Sequence, residues 1–438
     1  MVSVAVSGVG PTVASLDSGL TNRHHCQTVC IQREAQGPAM NLRRIIIQVL
    51  RLVSPMVLLS LCVNAVPISN QSNSFLSLDG TWKLRVVDNK GFAEFAGFTA
   101  PGYDDSDWPE VPVPGNWEMY GFEEPEFGSR SNRMGLYRRK FFLPAEWKNS
   151  VIYIRFEGVS FGSTVWINGR EVGSNWSGFT PFEVQVAQIL EYGAENTLAV
   201  RVVKAPEICS LDCFDTWSLS GIYRPVILIR KPQSFIQDLF VRADYNPKDQ
   251  SGRLRVQMAL DSFPPSHTRT ETVTGEIRLT GPQGTELLRK QKTVQVSGQA
   301  IPSPHLEWDE SIPNVQPWSA ESPVLATLTV SLQFDKRLGE QVIRQVGFRS
   351  VHIQGGVFML NGVPIKLKGV CRDELDPSAG AAFNQTLWRR DLQLMKAANI
   401  NAVRTLFHPP DERFIDLCDE MGMYVIEEVP FDFAEHLL

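Results

Sequence analysis

The sequence has no excess of basic residues and no basic stripe. Its 42 Lys and Arg residues are outnumbered by 48 Asp and Glu residues, which gives a formal net charge of −6. Proteins that bind nucleic acids usually carry clustered Lys and Arg that neutralise phosphates. The composition therefore argues against nucleic acid as a partner.

Cysteine is also scarce, with 7 residues in a chain of 438. No spacing among them matches a zinc site or a nucleophilic Cys/His pair. Cys209 and Cys213 could form a bridge within one loop if the chain reaches an oxidising compartment. We expect Cys371, at a strand end, and Cys418, on an apolar helix face, to be packing residues.

A long uninterrupted apolar run is missing as well. The stretch that starts at Met40, MNLRRIIIQVLRLVSPMVLLSLCVNA, has arginines before an apolar segment that ends in small residues, which is typical of a signal peptide. Arg51 and Pro55 interrupt it too early for a stable membrane span. We predict an unstructured extension over residues 1–39 and a signal peptide over 40–66. The predicted location is secreted or periplasmic, without a transmembrane span in the mature protein; a permanent N-terminal membrane anchor is the alternative.

Helical periodicity is absent from residues 75–347. Short runs rich in β-branched and aromatic residues alternate there with Gly, Pro and Asn, which predicts two successive antiparallel β-sandwiches. The first spans residues 75–232, and its strongest hairpin signal is Asn168-Gly169, since both turn positions need positive φ. The second spans residues 233–347 and is predicted to be immunoglobulin-like.

After Gly347 the hydrophobic period changes. IKLKGV, NAVRTLF and YVIEEV read as strands, and TLWRRDLQLMKAANI and DERFIDLCDEMG between them read as amphipathic helices. Strands that alternate with helices predict a parallel α/β unit over residues 348–438. Ligands bind at the carboxyl ends of such strands, so we expect one rim to carry Arg372, Asp373, His408, Glu427 and Glu428.

These residues carry a family resemblance. GVCRDELDP and LMKAANINAVRT resemble the start of the catalytic barrel of glycoside hydrolase family 2, and LDGTWKL, VPVPGNWEMYGF and DTWSLSGIYRPV resemble its sugar-binding jelly roll. Within the family, the sequences GVCRDELDP and LMKAANINAVRT are most similar to those of β-galactosidases. The resemblance implies a jelly roll, an immunoglobulin-like domain and the first three βα units of a truncated TIM (β/α)8 barrel. It also implies carbohydrate as the partner, through hydrolysis of terminal β-linked galactosides or related glycosides.

Retaining glycosidases of this kind need two carboxyl groups about 5 to 5.5 Å apart, one acting as acid/base and one as nucleophile. In the family both are glutamates that follow later barrel strands. A TIM barrel takes roughly 250 residues, far more than the segment 348–438 provides. We therefore expect no catalytic residue in this chain and no activity from it alone. The alternatives are a non-enzymatic carbohydrate-binding protein that uses the jelly roll, or half of a split glycosidase completed by a second chain. The possible partners besides carbohydrate are a further copy in an oligomer or such a complementing chain.

Several binding residues follow from the resemblance. Arg404 matches the arginine that holds the nucleophilic glutamate, the alternative being a structural ion pair on the rim. Asp215 matches an aspartate that reaches towards the sugar near a sodium site in some members, the alternative being an ordinary loop aspartate. Trp217 could stack on the apolar face of a sugar or lie in the jelly-roll core.

Other positions depart from the family pattern. Arg372, Asp373 and Glu374 stand where β-galactosidases usually have Arg-His-Glu, so a carboxylate that only accepts hydrogen bonds replaces an imidazole. Sugar binding is still expected there, with the galactoside preference open. His408 lies one residue away from the position of a second family histidine. It is a candidate substrate-binding residue, and the alternative is that it caps the next helix.

No cofactor is required by this interpretation. Asp432 and Ala434 stand where some members hold magnesium, so we predict no magnesium site there, and Asp215 is the one candidate for sodium. Glu427 and Glu428 match the family's Asp-Glu pair. Because adjacent strand residues point to opposite faces, we expect them to orient neighbours and not to form the catalytic pair.

Overall fold

A computed structural model describes residues 74–88, 91–127, 131–204, 217–262, 271–296, 304–334 and 337–430. The predictions on the extension and signal peptide, on Cys209, Cys213 and Asp215, and on the magnesium position lie outside the described residues.

The first sandwich consists of a four-stranded sheet in the order β1-β12-β5-β9, a six-stranded sheet in the order β3-β2-β4-β10-β7-β8, and a short pair β11-β6 within the described residues. All its strand pairs are antiparallel. Its strands are β1 Phe75–Ser77, β2 Gly80–Asp88, β3 Glu110–Val113, β4 Arg133–Leu143, β5 Val151–Phe156, β6 Val159–Ser160, β7 Gly162–Ile167, β8 Arg170–Asn175, β9 Phe182–Gln185, β10 Ala194–Val203, β11 Gly221–Ile222 and β12 Val226–Lys231.

Alternating apolar residues build the core of this sandwich. In β5 the sequence VIYIRF alternates between fully and partly buried positions, as expected for a strand with one face against the core. Trp82 and Trp117 are among the largest side chains buried there. The predicted hairpin is confirmed, because Asn168 (φ 51°) and Gly169 (φ 78°) join β7 to β8 with Ile167 opposite Arg170.

The second sandwich is immunoglobulin-like, as predicted. A sheet β13-β14-β17 faces a sheet β16-β15-β18-β19, and Leu254, Ile277, Trp308 and Leu328 lie in the core between them. Its strands are β13 Ser234–Asn246, β14 Ser251–Ser262, β15 Glu271–Thr280, β16 Glu286–Val296, β17 His305–Ile312, β18 Ala326–Phe334 and β19 Arg337–Val346.

A small antiparallel sheet, which the sequence reading missed, follows the second sandwich. It consists of β20 Val351–Gln354, β21 Val357–Leu360 and β22 Val363–Pro364. Gly355 and Gly356, both at positive φ, make the tight turn between β20 and β21.

The last described part is the parallel α/β unit. Its elements are β23 Gly369–Arg372, α1 Gln385–Ala397, β24 Ala402–Thr405, α2 Glu412–Met421 and β25 Tyr424–Ile426. The strands pair in parallel in the order β23-β24-β25, which is the predicted start of a βα barrel. The first strand begins later than predicted because Lys366 and Lys368 bond through their backbones to the side chain of Asn401.

Both helices lie where the sequence places them, although α1 ends at Ala397, three residues before the end of the predicted segment. Asn384 caps α1 by accepting from the Leu387 N–H. Asp411 caps α2 by accepting from the Arg413 N–H, and Gly422 ends it at φ 74°. The apolar faces of the two helices pack against Val403 of β24.

The cysteine predictions have opposite outcomes. Cys418 is buried among the residues of this core, as expected. Cys371 is exposed, so the prediction that it packs is wrong. The side chain lies in register with Arg404 and Ile426, which are exposed as well, on the face of the sheet away from the helices.

Candidate functional site

Arg404 and Glu428 meet at the carboxyl ends of β24 and β25. Arg404 is exposed on the face of the sheet opposite the helices, and its guanidinium forms an ion pair with the Glu428 carboxylate. That carboxylate raises the pKa of Arg404 above its usual range. The rim therefore presents a permanent cation whose orientation Glu428 controls.

Glu428 also joins the loops that follow the two strands. Its Oε2 accepts from the Phe407 N–H at 2.6 Å, and its own N–H donates to Thr405 Oγ1 at 3.2 Å. Phe407 has a φ of 68°, a conformation that is uncommon for a bulky residue and needs support from its surroundings. Neighbouring Glu427 is partly buried, and burial raises the pKa of its carboxyl.

Arg372 does not lie on the rim, so that prediction is wrong. Its Nε donates to Asp391 Oδ2 of α1 at 3.0 Å, and its guanidinium lies 4.6 Å from the ring centre of Phe414 in α2. Since side chains alternate along a strand, Cys371 takes the open face and Arg372 the face that the helices cover. Asp373, the next residue, stays partly exposed, and burial raises the pKa of its carboxyl.

Glu374 is buried against the jelly roll, and its contact with a sugar stays a prediction from the resemblance. Its Oε2 lies 3.0 Å from Arg224 of the jelly roll, and both side chains are almost fully buried. Arg224 also donates to the carbonyl oxygens of Phe179 at 3.1 Å and Pro409 at 3.2 Å. One guanidinium thus joins the jelly roll to the loops after β23 and β24.

His408 belongs to the same interface between domains. Its ring stacks on Phe179 with the centroids 4.3 Å apart and the planes within 5°. Burial lowers the pKa of His408 to about 4, with the charges of Arg224 and Arg372 acting in the same direction. The imidazole is therefore neutral at pH 7 and sits against the jelly roll. The capping alternative is wrong, because Asp411 caps α2.

Trp217 lies at the surface, so the alternative of a core tryptophan is wrong. The indole packs edge to face against Phe127, and both rings are exposed. The two residues also form an antiparallel backbone bridge. The structure therefore brings together the segments around Phe127 and Trp217, which are far apart in the chain.

Three family models match the chain in this order along the sequence. The sugar binding domain of glycosyl hydrolases family 2 matches residues 75–232, the general glycosyl hydrolases family 2 model matches 234–349, and the TIM barrel domain matches 351–435. The chain belongs to glycosyl hydrolases family 2.

Relatives of the chain include proteins named β-galactosidase. A β-galactosidase of Priestia megaterium is 34% identical over 379 residues, which cover 81% of this chain and 36% of the relative. A β-galactosidase of Vibrio cholerae is 34% identical over 372 residues, which cover 80% of this chain and 35% of the relative. The chain thus spans about a third of the length of the relatives it matches.

Solved structures of the family share the fold. A β-glucuronidase of Bacteroides uniformis superposes with a TM-score of 0.72 at 26% identity, covering 82% of this chain and 42% of that chain. A β-glycosidase of Bacteroides vulgatus superposes with a TM-score of 0.69 at 28% identity, covering 81% of this chain and 44% of that chain.

Sequence reasoning missed an ionic cluster inside the jelly roll of this family 2 chain. Lys204 Nζ lies 2.9 Å from Glu118 Oε1 and 2.9 Å from Glu123 Oε2, and Lys204 and Glu118 are buried. Glu118 Oε2 also accepts from the Ser220 N–H at 2.9 Å. Glu118 lies in VPVPGNWEMYGF and Ser220 lies in DTWSLSGIYRPV, so the cluster connects these two motifs. No local sequence pattern predicts contacts between residues this far apart in the chain.

Asn116 was also missed. Its Oδ1 accepts from the Ala381 N–H at 2.8 Å, so a jelly-roll side chain supports the loop after β23. A signal was available in the sequence, because Asn116 lies in the quoted VPVPGNWEMYGF stretch.

The described residues hold no group of three or more His, Cys, Asp or Glu side chains arranged as metal ligands. The candidate sodium ligand Asp215 and the predicted absence of a magnesium site concern residues outside the described ones, so both stay predictions from the resemblance. Among the same residues, no helix has the length and apolar character needed to cross a membrane.

Proposed function

We propose that this chain supplies the sugar-binding and first barrel portion of a retaining β-glycosidase that acts on terminal β-linked galactosides or related glycosides. The observation that carries the proposal is the match of three successive family domains over residues 75–435. Within them, Arg404 faces away from the helices at the carboxyl end of β24, where sheets of this type bind ligands. The β-galactosidase relatives support a galactoside, and the β-glucuronidase neighbour supports the broader glycoside class.

In this proposal Arg404 orients an anionic carboxylate, and Glu428 keeps the guanidinium in place until that carboxylate is present. Asp373 accepts hydrogen bonds from sugar hydroxyls. Three buried side chains position the loops after β23 and β24: those of Glu374, Arg372 and His408. The acid/base and nucleophile are not assigned to any residue of this chain.

We expect residues 1–438 alone to hydrolyse neither 4-nitrophenyl β-D-galactopyranoside nor 4-nitrophenyl β-D-glucuronide. The physical reason is that three parallel strands do not enclose a pair of carboxyl groups at the spacing that double displacement needs. The measurement is release of 4-nitrophenolate by the purified chain against a heat-killed sample. Release of 4-nitrophenolate above that control would contradict the proposal that the acid/base and the nucleophile lie outside residues 1–438.

The glycosidase itself is tested by the reading frame after the codon for Leu438. An in-frame Asn-Glu pair followed by a later glutamate supports one complete enzyme, and the extended protein should then cleave one of the two substrates. A stop codon at that point removes catalysis by a single chain.

Two further candidates rest on specific observations. The match to a sugar binding domain over residues 75–232 favours a carbohydrate-binding protein. Ile426 in β25 and Val429 after it are exposed, and among the described residues β25 pairs only with β24. Both observations favour assembly with a complementing chain. Export by the segment 40–66 remains part of the proposal, and N-terminal sequencing of the mature protein tests it.

A further inference from the structure

The surface of the jelly roll carries an aromatic pair that the packing of the domain does not use. Phe127 is 57% exposed and Trp217 is 43% exposed. Their ring centroids are 5.8 Å apart and the ring planes meet at 86°. We name this feature the aromatic corner and define it as Phe127 and Trp217. Large apolar side chains grouped at a surface point to an interaction.

Backbone hydrogen bonds hold the corner in place. Phe127 and Trp217 lie opposite each other in an antiparallel bridge. Next to it, the Ser218 N–H donates to the Glu126 carbonyl oxygen at 2.8 Å. The two rings are therefore carried by paired backbone segments, and their relative position does not depend on side-chain packing alone.

The buried ionic cluster supports the same two segments from below. Glu118 and Glu123 belong to the segment that leads to Phe127, and Ser220 belongs to the segment that follows Trp217. Glu118 accepts from Ser220 N–H at 2.9 Å, and Lys204 bonds to both carboxylates at 2.9 Å. Removing one partner of a buried ion pair is costly, so this arrangement fixes the segments firmly. A preorganised surface loses little entropy when a ligand binds.

The shape and surroundings of the corner fit a sugar ring. A pyranose has a face of C–H groups that packs on one aromatic ring, and its edge can contact a second ring set at a right angle. Exposed Glu124 and Glu126 precede Phe127 in the chain and accept hydrogen bonds from hydroxyls. Two rings offer far less area than the roughly 800 Å² per partner of a stable protein interface, which argues against a protein ligand.

We propose that the aromatic corner is a stacking site for one pyranose ring of a carbohydrate ligand. This inference rests on the proposed function in one respect, that the chain meets β-linked carbohydrate. It assigns Phe127 a binding role that the sequence did not suggest, and it gives Trp217 a partner.

The test is a calorimetric titration of the full 438-residue chain with β-1,4-galactobiose and with methyl β-D-galactopyranoside. Trp217→Ala and Phe127→Ala should each weaken binding about tenfold, equivalent to 1.4 kcal/mol. Trp217→Phe keeps a ring face and should stay within about threefold of the wild type. Phe142, in the same domain and 61% exposed, provides the matched control, and Phe142→Ala should not change the affinity.

Two results would overturn the proposal. Either Trp217→Ala and Phe127→Ala bind both sugars as tightly as the wild type, or the wild type gives no heat with either sugar at millimolar concentration. The first result leaves carbohydrate binding by the chain intact. The second leaves the glycosidase proposal to its own substrate and reading-frame tests, so failures of the two ideas can be told apart.

Discussion

His408 shows how much a single side chain depends on its neighbours. In the sequence it is a rim histidine beside two prolines, a reasonable sugar ligand. In the structure Phe179 covers one face of the ring, and the residue is 8% exposed. A buried imidazole resists protonation because the charged form loses its hydration.

We predict that the stability of the chain falls as the pH drops through the range set by His408. The pKa of His408 is about 4 in the folded chain, against an ordinary value of 6.5. Between these pH values the histidine is protonated in the unfolded chain and neutral in the folded chain. The free energy of unfolding should fall by about 3 kcal/mol between pH 6.5 and pH 4 from this group alone.

Urea unfolding of the wild type and of His408→Phe across that pH range measures the effect. The phenylalanine keeps the stack on Phe179 but has no titrating group, so the difference between the two proteins isolates the histidine. Parallel pH profiles for the two proteins would show that His408 is not the group responsible.

At the scale of the element, Gly422 shows that the end of α2 depends on both local conformation and tertiary contacts. The residue ends α2 in the left-handed conformation, as a helix C-terminus favours. It also lies so close to the immunoglobulin-like domain that a Cβ would overlap the Ala320 carbonyl oxygen. Lys396 of α1 donates to the Ala320 and Gly422 carbonyl oxygens at 2.8 and 3.0 Å. Two domains therefore meet at this helix end.

Gly422→Ala should destabilise the protein by about 2 kcal/mol more than Gly355→Ala. Both glycines have positive φ, so both substitutions carry the backbone cost of about 1 to 2 kcal/mol. Open space surrounds Gly355, and only Gly422→Ala adds a steric overlap. Thermal unfolding of the two variants measures the difference. Equal losses of stability would mean that the backbone at Ala320 can move to accommodate the added methyl group at little energetic cost.

At the scale of the whole molecule, buried polar contacts join the domains. Trp318 of the immunoglobulin-like domain donates to the Asp419 carbonyl oxygen of α2 at 2.8 Å. Arg224 of the jelly roll donates to the Glu374 carboxylate and to the Pro409 carbonyl oxygen in the loops after β23 and β24. The jelly roll and the barrel segment should therefore unfold together.

Arg224→Met should cost about 3 to 5 kcal/mol, because it leaves Glu374 buried without its partner. The expected signature in calorimetry is that one unfolding transition becomes two. Arg389→Met serves as the control, since its pair with Glu420 is exposed and such pairs contribute about 0 to 1 kcal/mol. A single transition with unchanged midpoint in Arg224→Met would mean that the domains are coupled by other contacts.

Local patterns were enough to predict the three domain types and both helices, whereas the small sheet β20–β22 was missed. The Asn168-Gly169 turn, the faces of α1 and α2, and the alternation in β5 are properties of short segments, so the sequence alone determines them. The family motifs likewise identify the domain types, because each motif is contiguous in the chain.

The environment of the rim residues was decided only by the tertiary structure. Arg372 ends β23, and Glu374 and His408 lie in the loops after β23 and β24, yet each side chain is covered by a helix or by the jelly roll. Arg404 stays exposed because it points to the face of the sheet opposite α1 and α2. Which side chains meet a ligand depends on strand alternation and on contacts between domains, and both bring together residues that no local pattern connects.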